Sequence, residues 1–308
     1  MAANETAAVS PDRAAAGRKV RPLELSTITP ASRFYWLRLL LQNPAAVASI
    51  CFLLLISLVA LLAPAIAPVE PNFVNPADRL DPPSSNAWFG TDDLGRYVFS
   101  RVVYGARISL LVGLAVMVGA TVGGSLIGLT AGYYQRLDTP LMRVMDGLEA
   151  FPSILLAIAI MATLGPATEH VILALTVVYV PNIARLVRGT TLMNRQQTYV
   201  ESARAIGLPD FLILRRYIFA NSLSPLIVQG TFVIAFAILT EASLSFLGAG
   251  VPPDSPTWGS IVSSGQPRLQ QAWWISIFPG AFLFATILAT NLIGDGLRDA
   301  LDPRSRKR

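Results

Sequence analysis

The chain has 308 residues, 53% of them hydrophobic and only 14% charged, with a mean hydropathy of +0.53. Soluble domains carry about 25% charged residues, so this composition excludes an ordinary soluble domain and points to a membrane protein. The net charge of +5 is not a nucleic-acid footprint either, because the basic residues are spread among loops rather than gathered in one patch.

Residues 1–32 are rich in Ala, Pro and charge and lack the apolar run of a cleavable signal peptide. They are expected to form a disordered cytoplasmic tail. Residues 33–67 hold a short amphipathic piece, Phe34 to Leu41, and the first of six spans. Each span is judged against the roughly 20 residues needed to cross hydrocarbon. The first runs from Ala45 to Ala67, with Pro44 suited to the first helical turn and Pro64 and Pro68 closing it. Residues 68–104 form an extracytoplasmic segment rich in Pro and Asp, in which Asp92 and Asp93 read as helix caps. A five-span core occupies 105–303, and 304–308 is a basic tail. Its spans are about Ile108 to Tyr133, Met142 to Leu164, Val171 to Leu192, Leu223 to Leu247 and Trp273 to Ile293. The expected fold is all-α and polytopic, with six transmembrane helices and both termini cytoplasmic.

That orientation places nineteen of the 24 basic residues inside, as retention of Lys and Arg in cytoplasmic loops requires. Outside remain Arg79, Arg96, Arg101, Arg107 and Arg268, with Trp258, Trp273 and Trp274 near the outer interface, where indoles are favoured. In the second span, Gly119/Gly123 and Gly124/Gly128/Gly132 each recur at four-residue spacing, which puts small residues on one helix face. Packing inside the subunit is the favoured reading, ahead of a seam with a second subunit.

Little here resembles a catalytic site. The only lysines, Lys19 and Lys307, end no phosphate-binding loop. His170 is the only histidine, too few for a His-based metal site or a nucleophile–base pair. Cys51 is alone in an apolar run, which excludes a disulfide within the chain. No metal, cofactor or catalytic residue is expected. The ionisable residues in or near spans are Arg107, Asp146, Glu149, Arg185, Arg188 and Glu241, and such charges face the protein interior or water. Asp146 and Glu149 stand evenly between interfacial solvation and an inward role, while Arg185 and Arg188 can snorkel to the interface. Arg107 and Glu241 are expected to pair near the outer face.

The polar stretch from Arg195 to Ala220 cannot lie in hydrocarbon and must reach water. Gly207 can end a first short helix in the left-handed cap conformation. Pro209 suits the first turn of a second, which runs through Ile213 to Phe219. The small residues Ser202, Ala203, Ala205 and Gly207 would let another surface approach closely. A plain amphipathic interfacial segment is an equal alternative from these residues alone.

Glu201-Ser202-Ala203, three residues, then Gly207 resembles the EAA loop of bacterial ABC importer permeases. Ser202 stands where that family usually has Ala, and Ala220 where it often has Pro. Phe89-Gly-Thr-Asp-Asp-Leu-Gly-Arg96, Tyr104-Gly-Ala-Arg-Ile-Ser-Leu110 and Met142-Arg-Val-Met-Asp146 narrow the resemblance. With them go Ala150-Phe-Pro-Ser153, Glu241-Ala-Ser-Leu-Ser-Phe-Leu-Gly248 and Gly294-Asp-Gly-Leu-Arg-Asp-Ala-Leu-Asp-Pro303. Together they are similar to the C-type permease of dipeptide, oligopeptide and nickel importers, over roughly residues 34 to 303. The resemblance implies a bacterial inner-membrane permease subunit, itself without enzymatic activity. It implies a B-type permease partner, two ATPase subunits and an external substrate-binding protein. It also implies an ATPase-coupling role for Glu201, Ser202, Ala203, Gly207, Pro209 and Asp210. Short peptides are the expected cargo, with nickel or another small solute as the alternative. A secondary transporter driven by an ion gradient is the reading from another class. It is disfavoured because spans one, two and six have no charge at their centres.

Overall fold

The computed structural model describes residues 35–301 apart from residue 253, so the expected tails at 1–32 and 304–308 lie outside the described residues. From Trp36 onward the described chain forms one unit. Its regular elements are all helices, and the only β feature among the described residues is an isolated antiparallel bridge between Thr91 and Tyr97.

Helix α1 (Tyr35–Gln42) gives way to α2 (Pro44–Leu61) at Asn43. The Asn43 side chain accepts from the amides of Ala45 at 3.0 Å and Ala46 at 3.2 Å. Pro44, which has no N–H to satisfy, fills the first helical position. The chain breaks at Leu62 before a single turn, α3 (Ala63–Ile66), so the first span is shorter than its apolar run. In the irregular stretch that follows, Asp92 accepts from the amides of Leu94 and Arg96, each at 2.9 Å, and pairs with the Arg96 Nε at 2.7 Å. Asp92 therefore ties a turn rather than capping a helix. The next helix, α4 (Val98–Tyr133), starts after Tyr97 without a side-chain cap and ten residues before the expected span.

The third expected span, Met142 to Leu164, is not one helix. Helix α5 (Gln135–Glu149) and helix α6 (Ser153–Leu164) meet at 91° across Ala150–Pro152. Pro152 supplies no amide donor and pushes Phe151 out of helical geometry. The twelve residues of α6 reach about 18 Å at 1.5 Å per residue, short of the roughly 30 Å hydrocarbon core. The chain continues through α7 (Thr168–Asn194), α8 (Thr198–Ala205) and α9 (Asp210–Ile213). A π-helical turn, Leu214–Phe219, leads into α10 (Ala220–Phe246), followed by α11 (Trp258–Gly265) and α12 (Trp274–Leu301). Among the described residues, five helical runs are long and apolar enough to cross a membrane, or six if the bent pair counts as one.

Helices α4 and α7 form the main seam, and the glycines of α4 make it. A Cβ on Gly119 would sit 2.9 Å from the Thr176 side chain, and one on Gly123 3.2 Å from Val180. On Gly124 it would lie 2.5 Å from Ile183, and on Gly132 2.6 Å from Thr191. Both small-residue ladders thus pack inside the subunit. Gly128 is the tightest point against main chain, since its Cβ would stand 2.5 Å from the Ala184 carbonyl oxygen. Backbone cannot step aside as a side chain can. Gly128→Ala is therefore expected to cost about 1–3 kcal/mol, the usual range for overpacking. Thermal unfolding of the purified subunit measures this, and Gly147→Ala, where the new methyl meets nothing within 4 Å, should not lower the midpoint.

At the other end of α4, a cluster of Val98, Val102, Ala106, Trp258, Ile261, Ala272, Trp274 and Ile275 joins α4, α11 and α12. The Trp258 Nε1 donates to the Val102 carbonyl at 3.1 Å, and that of Trp274 to the Thr91 carbonyl at 3.0 Å. Two of the three tryptophans expected as interfacial anchors are thus buried fold contacts, and only Trp273 is exposed.

Candidate functional site

The segment expected to couple to a partner folds as an elbow clamped to the end of α4. Helix α8 ends at Ala205, and Gly207 takes φ +78°. Its amide donates to the Arg204 carbonyl at 2.9 Å, and the Leu208 amide donates to the Ala203 carbonyl at 3.1 Å. This is the Schellman pattern, in which a left-handed residue lets two amides return to the last free carbonyls. Pro209, extended at φ −66° and ψ 145°, then starts α9 at Asp210. The second arm does not end at Ala220. Asp210–Phe246 is one run of 37 residues, joined through the π-helical turn, so the second arm is the extended end of a spanning helix.

The inner side of the elbow is an apolar base of Tyr133, Val200, Ala203, Ile213 and Ile218. Ala203 therefore packs inward, whereas Glu201, Ser202, Ala205, Gly207, Pro209 and Asp210 are exposed. Sequence reasoning missed the clamp itself. The Tyr133 hydroxyl donates to Asp210 Oδ1 at 2.6 Å, and the Arg204 guanidinium lies 5.0 Å from the Tyr133 ring centroid. Arg195 donates to the Gly132 carbonyl at 3.0 Å, satisfying one of the unpaired carbonyls at the end of α4. Tyr133 is 77 residues from Asp210, and no local pattern marks it as a partner. Two large apolar side chains were also missed. Ile206 is 76% exposed and Phe211 71%, one on each side of Gly207.

A second polar layer joins α5 to α7. Arg188 holds Asp138 with two bonds, Nε at 2.5 Å and Nη2 at 2.7 Å. Arg185 pairs with Asp146 at 2.9 Å and also with Glu149. Asp146 and Glu149 thus hold a spanning helix to the amphipathic α5 rather than standing alone in the interface. Both partners are partly exposed, so these pairs orient α5 more than they stabilise it.

Arg107 and Glu241 do not pair, since no ion pair within 4.0 Å joins them among the described residues. Arg107 is exposed, with its guanidinium 5.9 Å from the Tyr104 ring centroid. Glu241 is fully buried, and its Oε1 accepts from Ser245 at 2.8 Å beside the Ser109 and Thr257 hydroxyls. The cause is helical phase. Ser109 lies on the face of α4 that accepts the Trp258 amide, and two residues correspond to about 200° of helix rotation. Arg107 is turned to the opposite face.

Several apolar spans and an exposed helical elbow define a polytopic membrane protein. Residues 120–307 match the binding-protein-dependent transport system inner membrane component family, and residues 34–83 match the N-terminal transmembrane domain of oligopeptide transport permease C. The chain belongs to this family of transport permeases. It is therefore a multi-pass inner-membrane subunit of an ABC importer, whose ATPase resides in separate subunits.

The relatives agree along nearly the whole length. A Brucella abortus protein named for a peptide transport system permease is 49% identical over 267 residues, covering 87% of this chain and 90% of that one. The glutathione transport system permease of Escherichia coli is 46% identical over 272 residues, covering 88% and 89%. The dipeptide transport system permease of Alkalihalophilus pseudofirmus is 42% identical over 266 residues, covering 86% and 88%. The fold is also that of a solved amino acid ABC transporter chain, with a TM-score of 0.50 at 13% identity, covering 65% of this chain and 94% of that one. Membership in a binding-protein-dependent family sets aside the ion-gradient reading.

Proposed function

We propose that the chain is the C-type permease of an importer for short peptides, with residues 195–220 as its contact to the ATPase. The observation that carries the coupling role is the elbow's exposed apolar pair. Ile206 and Phe211 flank a glycine whose Cβ position meets nothing within 4 Å, on a base held by the Tyr133–Asp210 bond. Large apolar side chains at a polar loop tip are costly in water and gain free energy when a partner covers them. The basic residues around this loop favour the cytoplasmic side, where an ATPase would meet it, and both termini then share that side. Arg107, on the opposite face to Ser109, is left to lipid headgroups or water. A B-type permease completes the path in this reading, with two ATPase subunits below and a binding protein outside.

Peptide cargo rests on the relatives, three of which carry peptide, dipeptide or glutathione in their names. For the coupling role, a cysteine at position 206 or 211, in a Cys51→Ser background, is expected to cross-link to the ATPase subunit in the assembled complex. Modification by lipid-soluble thiol reagents with no cross-link to the ATPase subunit would defeat the assignment.

A further inference from the structure

A cavity of about 490 Å³ opens where the α5–α6 bend meets α7 and α10. Its lining includes the side-chain amides of Asn182 and Gln229 together with Tyr179, Phe151, Phe236 and Glu149. Asn182 is the informative residue. It lies about 20 Å from either end of α7 at 1.5 Å per residue, and its side chain is exposed at that depth. An amide facing hydrocarbon without partners costs several kcal/mol, so polar groups at mid-span face water or protein. Pro181 adds to the polarity, because it removes the amide that the Val177 carbonyl would ordinarily take.

Resting on the reading of the chain as a peptide permease, we infer that this cavity is part of the translocation path, and that Asn182 and Gln229 contact the peptide main chain as it passes. The chemistry fits that class of ligand. A side-chain amide both donates and accepts, as a peptide bond does, and so reads main chain without selecting a side chain. Glu149 is the one charged residue of the lining, and Arg185 neutralises it. Phe151 and Phe236 are both exposed and offer flat apolar faces to passing side chains. Tyr179 is held in place, its hydroxyl 2.7 Å from that of Thr240. The wall thus suits peptides of varied sequence, and among the described residues it holds no group of three or more His, Cys, Asp or Glu to favour a metal ion.

The test uses the complete transporter in proteoliposomes, with Cys51→Ser as background and Asn182→Cys or Gln229→Cys added singly. Each cysteine is treated with a charged, membrane-impermeant thiol reagent and, separately, with a lipid-soluble maleimide. Both cysteines are expected to react with the charged reagent and to be protected by a transported dipeptide during ATP turnover. In parallel, Asn182→Leu combined with Gln229→Leu is expected to raise the import KM by about tenfold, as loss of two modest hydrogen bonds predicts. Reaction with the lipid-soluble reagent only would show a lipid-facing surface, and reaction with neither reagent would show a sealed seam. Either result overturns the path. If instead the charged reagent reacts and a solute other than a peptide protects, the path stands and the peptide reading fails.

Discussion

Replacing Gly207 by valine is expected to reduce ATP-driven import severely while leaving the subunit assembled in the membrane. Gly207 sits at φ +78°, a conformation that costs a β-branched residue about 1–3 kcal/mol. A valine relieves that strain only by unwinding the turn, which breaks the bonds from the Gly207 and Leu208 amides to α8. The space around Gly207 is open, so nothing in the core is disturbed and the damage stays in the elbow. Import is expected to fall by about 10- to 100-fold, since each 1.4 kcal/mol is a factor of ten, with normal amounts of complex on size-exclusion chromatography. Gly165→Val is the control. It also places a β-branched residue at positive φ, here +83°, with the same open surroundings, but in the turn between α6 and α7. Equal losses from both variants would show that the effect is general strain and not coupling.

The largest effect on stability is expected at the opposite end of α4, where Trp258 is 0% exposed. Trp258→Ala removes the side chain that joins α11 to α4, together with the indole's hydrogen bond to the Val102 carbonyl. Truncation of a buried aromatic costs about 3–5 kcal/mol, which in a domain of this size lowers the melting midpoint by about 10 °C. Trp258→Phe keeps most of the volume and should lose less. Trp273→Ala, at a half-exposed neighbour, should leave the midpoint nearly unchanged. Similar losses at Trp258 and Trp273 would mean that burial does not distinguish them.

Which features were legible in the chain follows from the range of the interactions involved. The helical cap at Gly207 is a local event, set by one residue's tolerance of positive φ within a few residues of its partners. Glycines at four-residue spacing likewise declare a close-packed face whatever helix meets them. The pairing of Arg107 with Glu241 failed because apolar runs do not report helical phase, and phase decides which neighbour a side chain meets. The bend within the third expected span was missed for a similar reason. Hydropathy counts apolar residues but is blind to a 91° turn at Pro152.

The amino-acid sequence by itself determined the class of protein, since a chain this apolar must bury its surface in lipid or in neighbouring helices. It determined the family, through short motifs whose residues act locally, and the existence of a polar elbow between two spans. Only the tertiary structure decided what holds that elbow. The Tyr133–Asp210 bond and the Arg195 contact to Gly132 join residues more than 60 positions apart. Only the tertiary structure decided that Glu241 is buried beside Ser245, and that Asn182 and Gln229 line one cavity. Such contacts depend on how whole helices rotate and cross, which is set by the sum of many weak packing interactions along each seam.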